Sequence, residues 1–123
     1  MIPFRKRKGK LELLMVTSTK KKRWVIPKGV KELHLSSKQS AIKEAWEEAG
    51  IRGKVCKPSI GAYRYRKWGG ICTVKVFAME VSKVVRKWEE SFRDREWFSH
   101  REALRLIKAK DLQQIVRQLP DLV

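Results

Sequence analysis

The chain has few cysteines, few histidines and no long apolar run. Its two cysteines, Cys56 and Cys72, are far apart and form no CxxC pair. Two reduced, buried thiols in a cytoplasmic protein are expected, not a disulfide framework. His34 and His100 stand without a Cys or His at zinc spacing, so both are expected on the surface or in loops. No stretch approaches the roughly 18 apolar residues that span a bilayer, and no membrane partner is expected. The opening MIPFRKRKGK is charged but leads into no apolar segment, so it does not read as a signal peptide. Repeats, low-complexity tracts and Pro/Ser-rich linkers are absent. The four prolines and seven glycines mark single turns.

Acids are scarce too. Lys and Arg number 30 against 13 Asp and Glu, a net charge of +17. Such an excess costs stability through self-repulsion and favours polyanionic partners. Nucleic acid, an anionic membrane surface and a phosphate-rich small molecule all fit that description. Charge alone does not choose among them, and part of such an excess only aids solubility. What the chain does have is 42% hydrophobic residues over 123 positions, enough for one domain with a real core.

The most informative stretch runs from Pro27 to Ile51, PKGVKELHLSSKQSAIKEAWEEAGI. A Gly-containing turn precedes a helix whose last turns carry Glu44, Glu47 and Glu48. Positions i, i+3 and i+4 are neighbours on a helix surface. The macrodipole already disfavours negative charge there. Three acids in that place repel one another unless a cation sits between them, and Mg²⁺ or Mn²⁺ prefers carboxylate oxygen. The helix should start near Ser36 or Ser37, where Ser36 and Gln39 fit a capping box. Ala41, Ile42, Ala45, Trp46 and Ala49 make its apolar stripe, and Gly50 suits a left-handed C-terminal cap.

Strands are expected at residues 2–6, 11–17 and 24–26, with a basic loop at 20–23 and another loop at 28–35. Two long strands are expected at about 54–66 and 71–81, joined by a hairpin turn at Trp68-Gly69-Gly70. A short strand at 95–98 leads into a helix from Ser99 or His100 that holds Ala103, Leu104 and Ile107. Residues 111–119 form the last helix, with Leu112, Ile115, Val116 and Leu119 at core spacing. This order suits an α/β/α sandwich around a mixed sheet.

Gly29, Lys43-Glu44, Glu47-Glu48, Gly50 and Ile51 fall where the Nudix box has its Gly, Arg-Glu, Glu-Glu, Gly and aliphatic residue. The chain resembles the Nudix hydrolases, which cleave nucleoside diphosphates linked to another group and related pyrophosphates. RWVIPKG, from Arg23 to Gly29, and KWEESFRDREWFSHREALRLI, from Lys87 to Ile107, are similar to small bacterial Nudix proteins and to diphosphoinositol polyphosphate phosphohydrolases. Two box positions depart from the pattern: Leu35 stands where the box has Glu, and Lys43 where it has Arg. In the family those residues pair and brace the loop on the helix. Their joint change reads as one coupled event, with the brace rebuilt through an apolar contact from Leu35.

The resemblance implies a single Nudix α/β/α sandwich with a central mixed sheet over residues 1–123. It implies metal-dependent hydrolysis of a phosphoanhydride in a phosphate-rich substrate. A dinucleoside polyphosphate, an inositol pyrophosphate and the 5′ triphosphate end of RNA are the candidates. The alternative is a catalytically weak Nudix-fold binding module for RNA or polyphosphate. Glu44, Glu47 and Glu48 would hold Mg²⁺ or Mn²⁺, with Glu48 the principal ligand and Glu47 and Glu48 the catalytic acids. Gly29 would form the tight turn, and Lys28 would touch phosphate. Arg64 and Arg66, alternate residues on one strand face, resemble the pair that grips phosphates. Arg5, Arg23 and Arg95, beside Arg93, would extend a basic rim. Trp24, Trp46 and Trp97 are expected in the core. Trp68 at the hairpin tip is assigned to loop packing, with stacking on a base as the alternative. The partner is a polyanionic nucleotide or inositol pyrophosphate, nucleic acid is a second candidate, and the oligomeric state is open.

Overall fold

The computed structural model describes residues 1–28, 33–56 and 59–123. In chain order the elements are β1 (Ile2–Arg7), β2 (Lys10–Thr17), β3 (Trp24–Val25), α1 (Ser37–Ala49), β4 (Ile51–Val55), β5 (Gly61–Lys67), β6 (Gly70–Val76), β7 (Ala78–Val84), β8 (Arg95–Ser99), α2 (His100–Leu106) and α3 (Lys110–Leu122).

The run Leu13-Leu14-Met15-Val16 in β2 is apolar at every position because β2 is buried on both faces. Leu13 and Met15 join one core with Ile2, Phe4, Ala103, Ile115, Val116 and Leu119. Leu14 and Val16 join the other with Ala45, Ala49, Ile51, Phe77 and Met79. The sheet therefore lies between α1 on one side and α2 with α3 on the other. Its order is β3-β2-β1-β7-β4, with β8 joined to β2. β1 and β7 are parallel, while β2 runs antiparallel to β1, β3 and β8. This is the expected sandwich with a mixed sheet. No helix among the described residues is long and apolar enough to cross a membrane.

Two strand expectations need correction. The segment expected as one strand over 54–66 divides into β4, which pairs with β7 in the main sheet, and β5, which pairs with β6 alone. The segment expected at 71–81 divides at Phe77 into β6 and β7. Ile60 N–H still donates to the Val76 carbonyl, and Ile2 N–H to that of Phe77. The chain thus leaves the hairpin and enters the main sheet within two residues. Val74, Val76 and Phe77 mask the second break in the sequence, whereas Lys57-Pro58-Ser59 marks the first.

α1 follows its local chemistry closely. Ser36 accepts from the Gln39 N–H at 3.1 Å and the Gln39 side chain accepts from the Ser36 N–H at 2.9 Å, the full capping box. Gly50 ends the helix at φ 64°, ψ 42°. Ala45 and Ala49 are wholly buried, so the helix sits close on the sheet and its acids project beside it. Trp46 is only half-buried and carries the Arg52 guanidinium over its ring at 4.0 Å, so it is a rim residue, not a core one. His100 is likewise not a surface residue, since its Nε2 lies 2.6 Å from the Val116 carbonyl oxygen. Cys56 and Cys72 are free and half-buried.

Candidate active site

Glu48 is 5% exposed, although it is a carboxylic acid near the end of a surface helix. One of its oxygens accepts from the Lys28 N–H at 3.4 Å. Its carboxyl also shares a hydrogen bond with that of Glu44. Burial first, and the Glu44 partner second, push Glu48 up to about 8, with Arg93 opposing. Burial also raises Glu44 above the ordinary range. A buried carboxyl beside a second, half-buried one is costly unless a proton or a cation lies between them. Glu47 stands apart from this pair, 3.3 Å from the Lys43 ammonium one turn back. Among the described residues no three carboxylates converge on one point. Lys43 pairs with Glu47 on its own helix, and residues 29–32 of the preceding loop lie outside the described residues. Leu35 is half-buried.

The last turn of a helix leaves its final carbonyls without partners. Here each is taken by the segment between β7 and β8, or by β8 itself. The Glu47 carbonyl accepts from the Glu90 N–H at 3.0 Å, and the Gly50 carbonyl from the Val85 N–H at 2.9 Å. The Glu48 carbonyl accepts from Trp88 Nε1 at 2.9 Å. Arg95 gives one guanidinium N–H to the Ala49 carbonyl at 2.6 Å and another to that of Val85. The same guanidinium lies 3.8 Å from the centre of the Trp88 ring. A cation is thereby held at the negative pole of α1. A Cβ on residue 50 would stand 2.6 Å from Trp88 Cβ and 2.9 Å from Arg95 Nη1, so only glycine leaves room for this clamp.

Arg95 is thus engaged at the helix end and does not line the cavity described below. Arg93 pairs with Glu90 at 2.9 Å and donates to the Thr17 carbonyl at 2.8 Å. Arg5 pairs with Glu12 at 2.7 Å, stacks over Trp97 at 4.1 Å and lies apart from the cavity too. Gly29 lies outside the described residues. Glu90 is an acid the sequence reading missed. It sits close enough to Glu44 to act on it electrostatically. Its position depends on a tertiary backbone bond to Glu47, which no local pattern announces.

Arg23, Lys28 and Arg64 do come together. They line a cavity of about 290 Å³ whose other walls include Trp24, Ile26, Tyr63, Ile107, Lys108 and Leu112. The Lys28 ammonium lies 5.9 Å from the Tyr63 ring centre. Lys28 thus belongs to both places, with its side chain at the cavity and its backbone N–H on Glu48. Trp24 meets Phe98 edge-on at 5.0 Å and forms an aromatic wall. Lys108 completes a cationic rim that the sequence reading did not name. Arg66 is exposed on β5 and does not line the cavity.

The NUDIX domain profile matches residues 1–119. The chain belongs to the Nudix family. It is 31% identical to "Nudix hydrolase 13, mitochondrial" of Arabidopsis thaliana over 121 residues, which cover 89% of this chain and 60% of that protein. It is 31% identical to the mouse diphosphoinositol polyphosphate phosphohydrolase 3-alpha over 79% of this chain and 60% of that one. The chain spans about 60% of the length of these curated relatives. Its fold superposes on the C. elegans Ap4A hydrolase with a TM-score of 0.80 at 19% identity, covering 98% of this chain and 92% of the other.

Two outcomes follow for this Nudix domain. Arg95→Lys removes the planar fork that reaches two carbonyls and stacks on Trp88. Hydrogen bonds to charged groups contribute about 1.5–3 kcal/mol, so the urea midpoint should fall by a corresponding amount. Amide exchange at Val85 and Glu90 should rise well beyond that at Leu13–Val16. The second outcome concerns pH in the presence of chelator. Glu44 and Glu48 are raised in the folded chain, so the folded state keeps protons that the unfolded state releases. Stability is then full below the ordinary Glu range and falls as pH rises from about 5 to about 8. Glu48→Gln should flatten that fall in a series of urea melts.

Proposed function

We propose that this chain is a divalent-metal-dependent pyrophosphohydrolase that cleaves a phosphoanhydride in a nucleotide carrying several phosphates. The observation that carries this reading is the junction at Lys28, where the cation-rimmed cavity meets the desolvated carboxyl pair. The all-oxygen donor set of Glu44 and Glu48 suits Mg²⁺ or Mn²⁺, and these two side chains would hold the ion, with Glu47 beside them on the same helix. When bound, the ion supplies neutralisation of phosphate charge and a more acidic water.

The residues of the chain do the rest. Arg23, Lys28, Arg64 and Lys108 bind the remaining phosphates along the cavity rim, and Arg23 and Arg64 present forked donors to phosphate oxygens. Trp24, Tyr63 and Leu112 exclude water and receive a planar ring. That apolar floor favours a nucleobase over an inositol ring, whose hydroxyls would find no partners against Trp24, Tyr63 and Leu112. Water attacks phosphorus while its proton passes to a carboxylate of the acidic face, Glu47 being the member held outside the hydrogen-bonded pair. The anhydride P–O bond breaks, and the leaving phosphate departs with the bonding electrons. Arg95 and Trp88 hold the helix end against which all of this is positioned.

A second reading, a polyanion-binding Nudix fold with little turnover, draws on the Lys43–Glu47 ion pair and on Leu35 and Lys43 standing at the usual Glu and Arg positions of the box. One panel separates the two. Diadenosine polyphosphates, nucleoside triphosphates, ADP-ribose, an inositol pyrophosphate and 5′-triphosphorylated RNA are each incubated with Mg²⁺, with Mn²⁺ and with chelator. Metal-dependent release from the nucleotides, lost in Glu48→Gln while substrate binding persists, is expected. No release from any substrate, with salt-sensitive binding intact, would favour the binding module.

A further inference from the structure

The hairpin β5–β6 stands apart from the main sheet, and its two faces differ sharply. Tyr63 and Val76 on one face are buried in the core beside α3. The pairings Ala62 with Lys75, Arg64 with Thr73 and Arg66 with Ile71 put those six side chains on the opposite face, and all six are exposed. No ion pair joins Arg64, Arg66 or Lys75 to an acid among the described residues. None stands nearby in sequence either, since no Asp or Glu occurs between Glu48 and Glu80. Trp68 at the turn is 85% exposed and Ile71 beside it 67%. Loop packing, the expectation for Trp68, leaves most of its ring surface open.

The turn itself is unusual. Trp68 at φ 52° and Gly69 at φ 74° take the two left-handed positions of a two-residue hairpin turn. That turn favours Asn or Asp at its first position, whereas a bulky side chain is disfavoured in the left-handed region. A strained, exposed tryptophan at the end of an acid-free cationic face points to an outside partner.

We propose that this hairpin face is a docking platform for single-stranded RNA. Arg64, Arg66 and Lys75 follow the phosphate backbone, while Trp68 and Ile71 receive bases at the tip. A duplex hides its base faces in its own stack, so the tryptophan selects unpaired bases. Arg64 belongs to both the platform and the cavity wall, and Lys28 connects the cavity to Glu48. A strand that runs along the platform with its 5′ end at Arg64 would bring that end to the cavity beside the acids. RNA is the strand that carries a 5′ triphosphate, and this last step rests on the pyrophosphohydrolase reading given above.

The test is anisotropy titration of an unstructured, 3′-labelled RNA of roughly 12 nucleotides across a salt series. Wild type, Trp68→Asn, Trp68→Phe and the double variant Arg66→Ala/Lys75→Ala are compared. Asparagine suits the turn, so Trp68→Asn should melt no lower than wild type, which controls for folding. Its RNA affinity should fall about five-fold or more, and Trp68→Phe should keep most of it. The double variant should lower the slope of log affinity against log salt by about 1.4, at about 0.7 per phosphate contact. Turnover of diadenosine tetraphosphate should be unchanged in Trp68→Asn, while turnover of 5′-triphosphorylated RNA falls with affinity. RNA binding by Trp68→Asn equal to wild type, or an unchanged salt slope in the double variant, would overturn the platform. So would Trp68-dependent binding to phosphatidylserine vesicles without RNA binding. RNA binding with these sensitivities, but no turnover of any substrate, would leave the platform standing and remove the hydrolase reading alone.

Discussion

Carboxylates at the negative end of a helix must be compensated, and α1 carries three of them in its last two turns. Two devices do this. A cation, Arg95, sits at the last carbonyls, and the backbone and indole donors of residues 85–90 take the others. The compensation is incomplete: burial and the neighbouring carboxyl push Glu48 up to about 8, and burial raises Glu44 above the ordinary carboxylate range. The fold thus fixes the position of the acids firmly and leaves their charge unresolved. That combination suits a site whose cation arrives with, or ahead of, a phosphate substrate.

The clamp also explains why residues 85–95, which have little regular structure, matter to the site. They are joined to α1 by backbone and indole bonds at successive carbonyls and to β2 through Arg93 and the Thr17 carbonyl. The acids, the clamp and the cavity form one connected unit, with Lys28 as the link. Cations that look interchangeable in the composition serve different ends. Arg95 holds a helix, Arg93 holds a loop, Arg5 covers Trp97, and Arg23, Arg64 and Lys108 face the cavity.

Legibility in the sequence followed the range of the forces involved. The capping box at Ser36, the left-handed Gly50 and the four buried positions of α3 depend on neighbours within a few residues, so they could be read directly. The two-faced burial of β2 was visible as an unbroken apolar run. Arg95 could not be assigned, because a guanidinium fork suits phosphate oxygens and backbone carbonyls equally well, and only tertiary pairing decides. The break at Phe77 was hidden for a similar reason, since strand propensity continues through it, whereas the break after Val55 carried a signal in Lys57-Pro58-Ser59. Lys43 was recognised as unusual, but its partner was not. Trp68 carried its signal in the turn geometry, which becomes visible only when φ is known.

The central claim is that the desolvated Glu44–Glu48 pair is the cation site of the domain. Calorimetric titration of Mn²⁺ into wild type, Glu44→Gln, Glu48→Gln and Glu12→Gln tests it most directly. The account predicts saturable binding in wild type and in Glu12→Gln, and loss of most of the affinity in either pair variant. Unchanged Mn²⁺ binding in Glu48→Gln would contradict it and place the cation elsewhere.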